Sequence, residues 1–84
     1  MVFVGILLIK EYEEIYPYVV GIYDDKVLAI EEVEKYKRQY IHNLEIRYNG
    51  NRYQSYPFDD FLSDCYNLEV FTHELPNIEI KHKN

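Results

Sequence analysis

The chain has no tryptophan, one cysteine, one methionine, three glycines and three prolines among its 84 residues. Each shortage removes a class of protein. A single thiol, Cys65, can form neither an internal disulfide framework nor a multi-cysteine zinc site. We read it as a small buried or half-buried side chain rather than a nucleophile. Gly5, Gly21 and Gly50 are scattered, and none heads a helix as a phosphate-binding loop requires. The apolar run from Val2 to Ile9 is far shorter than the ~18–20 residues that span a bilayer, and it lacks the flanks of a secretion signal. We therefore expect a cytoplasmic protein with no membrane association. Basic residues are scarce as well: nine Lys and Arg stand against fifteen Asp and Glu, for a net charge of −6. An acidic surface disfavours nucleic acid and favours basic partners, so no direct nucleic-acid binding is expected.

What is present is tyrosine and segregated charge. Ten Tyr accompany four Phe, and a ring with a polar tip suits half-buried positions and contact surfaces. Residues 1–34 carry eight acids and two bases, residues 35–56 five bases and one acid, and residues 57–84 six acids and two bases. The length implies one domain, taken here as residues 1–76, followed by a frayed tail over 77–84. A chain this short buries only roughly 60–65% of its unfolded surface, so its core must be dense or helped by a partner.

The β-rich run Val2–Ile9 predicts a strand apolar on both faces. A second strand is expected over Tyr18–Tyr23, with Pro17 at its start, after a solvated connection marked by Glu11, Glu13 and Glu14. Asp24 or Asp25 can cap a helix from Lys26 to Tyr40, whose stripe Ala29, Val33, Tyr36 and Tyr40 recurs at helical spacing. Its acids (Glu31, Glu32) come early and its bases (Lys35, Lys37, Arg38) late, as the helix dipole prefers. Leu44 to Tyr48 alternates apolar with charged residues, and Asn49-Gly50 signals a hairpin turn with Tyr53–Tyr56 as the return strand. Pro57 opens a short helix through Phe58, Phe61, Leu62 and Cys65, with Asp59 and Asp60 in its first turn. Leu68–Leu75 is the last strand, stopped by Pro76.

The expected fold is α+β: a small antiparallel-type sheet with one long helix on a face, in the order β-β-α-β-hairpin-short α-β. One long helix covers one face of the sheet. The other face of the first strand then needs the short helix or a second copy of the chain, and we expect a homodimer.

The segment from Tyr18 through Lys37, a strand ending Gly-Ile-Tyr that turns into a helix with an early alanine, resembles small uncharacterised ββαβ proteins of phages and bacteria. Leu68 to Leu75 resembles their closing strand. The resemblance covers about half the chain. It implies no functional residue, because that group has no assigned function; it implies a phage or mobile-element origin and a place in the host cytoplasm, where small acidic proteins act as inhibitors.

No catalytic or metal motif emerges. His42, His73 and His82 have no ligand spacing with Cys65 or with each other. A pairing of Cys65 with His73 would need the fold to bring them together, and nothing marks an oxyanion hole. The pairs Asp24/Asp25, Glu31/Glu32 and Asp59/Asp60 sit at helix starts, where capping and solvation explain them better than acid–base chemistry, which needs two carboxylates in contrasting environments. We expect neither an enzyme nor a cofactor.

Two binding readings from different classes remain. In the first, carboxylates among tyrosines engage a basic, nucleic-acid-handling protein, as an anti-defence, anti-CRISPR-like or nucleic-acid-mimicking inhibitor would. The candidate residues are Glu11, Tyr12, Glu13, Glu14, Tyr16, Asp24, Asp25, Glu31, Glu32, Asp59, Asp60 and Asp64. In the second, Lys37, Arg38, Arg47, Tyr48, Arg52 and Tyr53 bind a small anion such as a nucleotide or cyclic nucleotide, with Arg gripping phosphate and Tyr stacking on a base. A plainer third reading is a structural or dimer-forming module without a ligand. Each has an ordinary counterpart: an acidic surface keeps a protein in solution, and charge at a hairpin tip is solvated.

Overall fold

The computed structural model describes residues 1–50 and 57–76. Their order is β1 (Val2–Glu11), β2 (Glu14–Tyr23), α1 (Lys26–Asn49), α2 (Phe58–Cys65) and β3 (Tyr66–Leu75). The strands form one antiparallel sheet in the order β2-β1-β3, with α1 packed on one face. This is the expected α+β architecture. The apolar first strand takes the centre, where both of its edges are paired. No helix among the described residues is long and apolar enough to cross a membrane.

The side chains of β1 alternate between the two faces, as any strand's must. Gly5, Leu7 and Ile9 point at the helix and are buried. Ala29 and Val33 of α1 meet them, and Val20, Tyr36, Tyr40, Leu68 and Val70 close around this core. Gly5 sets how near the helix can come. A Cβ there would lie 2.7 Å from Val33 Cγ2 and 3.4 Å from the Ala29 carbonyl oxygen. Farther out, Tyr18 of β2 stacks on Tyr36 of α1 with ring centroids 4.6 Å apart, holding the edge strand to the helix. The N-cap is Asp25, whose Oδ1 accepts from Val27 N–H at 3.2 Å.

The principal departure from expectation lies after Tyr40. Leu44–Tyr48 is not a strand, and Asn49-Gly50 is not a hairpin turn. The helix runs on to Asn49, and Gly50 caps it in a right-handed helical conformation, donating to the Ile46 carbonyl at 3.1 Å. Both periodicities place Leu44 and Tyr48 together. The helix wins because those two extend the stripe Ala29, Val33, Tyr36, Tyr40 at a spacing of four, while Ile46 turns outward and is 58% exposed. The start at Lys26 is as expected and already puts Glu31 and Glu32 in the second turn, while the extension to Asn49 strands Lys35, Lys37 and Arg38 mid-helix. Only Arg47 is left to complement the dipole in the last turn, and the first turn holds no acid. The expected return strand Tyr53–Tyr56 and the tail 77–84 lie outside the described residues.

The other differences are smaller. β1 and β2 run on to Glu11 and back to Glu14, so their connection is the two-residue turn Tyr12-Glu13. Pro17 therefore lies inside β2, opposite Leu8. The strand tolerates it because β2 is an edge. β3 begins at Tyr66, directly after α2.

α2 does not cover the second face of the sheet. Phe58 packs with Leu44 and Tyr48 at the far end of α1, joined by Phe61, Leu62 and Tyr66. The Tyr48 ring lies 4.5 Å from Phe61 and 5.6 Å from Phe58. Both helices thus occupy the same layer, and no described helix or strand covers the second face, called the open face below. From the register it carries Val2, Val4, Ile6 and Leu8 of β1, Ile15, Pro17, Val19 and Ile22 of β2, and Phe71 and Leu75 of β3. Its polar members are Lys10, Asn67, Glu69 and His73.

Candidate functional site

The β1–β2 turn gathers part of the acidic candidate set. Glu11 and Glu14 are directly paired across it, an unfavourable like-charge juxtaposition. Two tyrosines relieve it from the same face of the sheet. Tyr66 donates its hydroxyl to Glu11 Oε1 at 3.1 Å, and the Tyr16 hydroxyl donates to Glu14. Burial, followed by the bond to Glu11, pushes the Tyr66 hydroxyl up to about 12. Tyr40 is raised too, first by burial and then by the Glu11 charge, with Arg47 opposing.

Between those strands Tyr12 sits at φ 56°, a left-handed conformation that side chains other than glycine rarely adopt. Its backbone N–H donates to the Cys65 carbonyl at 2.8 Å, which ties the turn to the end of α2. Its ring is 65% exposed. A hydrogen bond with the Cys65 side chain is the main cause of its raised hydroxyl pKa. The ring stands between two hollows. One is a shallow depression of about 750 Å³ lined by Glu11, Tyr12, Glu13, Glu14 and Tyr16. The other is a cleft of about 180 Å³ lined by Lys10, Tyr12, Ser63, Asp64, Cys65, Tyr66 and Asn67.

The acidic candidates divide between two ends of the molecule. Glu11, Tyr12, Glu13, Glu14 and Tyr16 share the first hollow, and Asp64 joins them across Tyr12. Asp59 and Asp60 are exposed on the first turn of α2, at the same end. Asp25 caps the start of α1 with Asp24 just before it, the length of β2 away, or about 30 Å. Glu31 and Glu32 belong to that far group, so the expected single acidic surface is two.

The described members of the basic set do not come together. Arg38 and Arg47 are exposed at separated positions along α1, Lys37 is half-buried, and the Tyr48 ring is buried against Phe58 and Phe61 where no base could stack. Arg52 and Tyr53 lie outside the described residues. Among the described residues no three His, Cys, Asp or Glu side chains approach closely enough to hold a metal ion.

Tyr66 escaped the sequence reading although it is central to the site. It lies 55 residues from Glu11, and only the β1–β3 pairing joins them. Its signal was the alternation of Leu68 and Val70, which carried two residues back puts Tyr66 on the covered face. No family model, curated protein or solved structure matches the chain.

Proposed function

We propose that the chain is a non-enzymatic interaction module that docks on a basic protein through its hairpin end. The observation that carries this reading is the shared depression of Glu11, Tyr12, Glu13, Glu14 and Tyr16, with Asp64 of α2 across the Tyr12 ring. Carboxylates on a rigid turn steer a basic surface from a distance, and exposed tyrosines supply contact area at small entropic cost. Tyr12 held in a disfavoured backbone conformation, with an exposed ring, is consistent with a turn kept for contact rather than for stability. A basic surface that accepts spaced carboxylates is one that otherwise meets phosphates, so a nucleic-acid-handling protein is the partner class. The resemblance to small phage and bacterial proteins adds the narrower reading of an inhibitor.

The test is a low-salt capture from host lysate with the parent chain and with Glu13→Lys/Glu14→Lys. The reading requires that the parent enrich a basic protein, that the variant lose it, and that salt weaken the capture. Equal capture by both chains would refute the hairpin end as the docking site.

A further inference from the structure

We infer that the open face of the sheet is a homodimer interface, and that two copies pack through it face to face about a two-fold axis lying across the strands. This goes beyond the hairpin-end reading and does not depend on it.

The covered face carries every tyrosine of the strands: Tyr16, Tyr18 and Tyr23 pair with Ile9, Leu7 and Phe3, and Tyr66 pairs with Glu11. The open face carries none and is mainly aliphatic. Val19 is 57% and Ile22 66% exposed there. Three strands of ten residues make a face about 33 Å long and about 14 Å wide. The footprints of two such faces add to about 900 Å², close to the lower bound of about 1,000 Å² for a specific interface. Isolated apolar patches of this extent are uncommon on monomers.

The occupant is a second copy because the face complements itself. An axis through Ile6 and its cross-strand partner Phe71 sets each of these residues on its own counterpart. Glu69 and His73 stand two residues to either side of Phe71, so the rotation brings Glu69 over His73 of the second copy, twice. An imidazole N–H can donate to that carboxylate. The same rotation lowers the Val2 and Leu75 end onto a hollow of about 240 Å³ lined by Leu8, Lys10, Ile15, Asn67 and Glu69. It also sends the two acidic hairpin ends to opposite poles, which suits a chain of net charge −6. Side-by-side pairing through β2 is impeded by Pro17 and by the bulge between Gly5 and Ile6.

The experiment is light scattering behind size exclusion on the full chain from about 1 to about 100 µM, with native mass spectrometry alongside. A dimer is expected. Val19→Lys and Phe71→Lys, both at exposed positions, should keep their circular dichroism and weaken dimerisation by about tenfold or more. His73→Glu sets carboxylate against carboxylate and should weaken it too; adding Glu69→Lys should restore it. A monomer throughout the range overturns the proposal. A dimer indifferent to folded Val19→Lys and Phe71→Lys overturns it as well, since pairing then uses another surface. Glu13→Lys/Glu14→Lys should leave the dimer intact, so failure of the hairpin reading and failure of this one are separate results.

Discussion

The two faces of the sheet are made from the same three strands and have opposite chemistry. The face under α1 mixes glycine, leucine, isoleucine and tyrosine, and its polar tips find partners: Tyr66 on Glu11, Tyr16 on Glu14, Tyr18 stacked on Tyr36. The open face is mainly aliphatic, with its polar residues confined to β3 and one end of β1. A sheet whose uncovered side is more hydrophobic than its core side is ordinarily finished by something else. The contrast separates what holds the subunit together from what the subunit offers.

The largest expected difference between the faces comes from deleting one buried side chain. Leu7 is fully buried, so Leu7→Ala should cost about 2–5 kcal/mol in denaturant unfolding. Val19→Lys on the other face should cost little at low concentration and more at high concentration, because only the dimer linkage is lost. A Leu7→Ala loss no larger than that of Val19→Lys at low concentration would break the comparison.

A smaller effect sharpens it. Gly5→Ala drives a methyl into Val33, a fully buried and stiff side chain, and should cost about 1–3 kcal/mol. Combined with Val33→Ala, it should cost less than the sum of the two. Strict additivity would mean that α1 does not approach the sheet at Gly5.

The smallest effect is a titration. Tyr66 holds its proton to about pH 12 in the fold, against about 10 in an unfolded chain. The fold favours the neutral hydroxyl, so this contribution is complete below about pH 10 and is lost as pH rises from there through about 12. Stability measured across that window should fall less steeply in Tyr66→Phe, with Tyr36 and Tyr40, also raised by burial, leaving a residual slope. An unchanged slope would remove Tyr66 from the buried hydroxyls.

Local signals were legible where one periodicity had no rival. A cap at Asp24 or Asp25, which the structure gives to Asp25, Ala29 through Tyr40 as the helix stripe, Pro57 before α2 and Pro76 after β3 could be read directly. The misreading at Leu44–Tyr48 came from a five-residue window that satisfies both a two-residue and a near four-residue repeat, beside an Asn-Gly pair that favours turns. Phe58 and Phe61 decide it: they give Tyr48 and Leu44 a helical surface to pack on.

The sequence by itself determined the α+β class, a first strand apolar on both sides and an excess of acid near the first turn, because composition and alternation are properties of neighbours along the chain. Tertiary structure alone decided that α2 joins α1 in one layer, that the acids split between two ends about 30 Å apart, and that Tyr66 reaches Glu11. Those outcomes depend on strand order and on helix length, which bring residues 55 positions apart into hydrogen-bond distance and put both described helices on one face of the sheet.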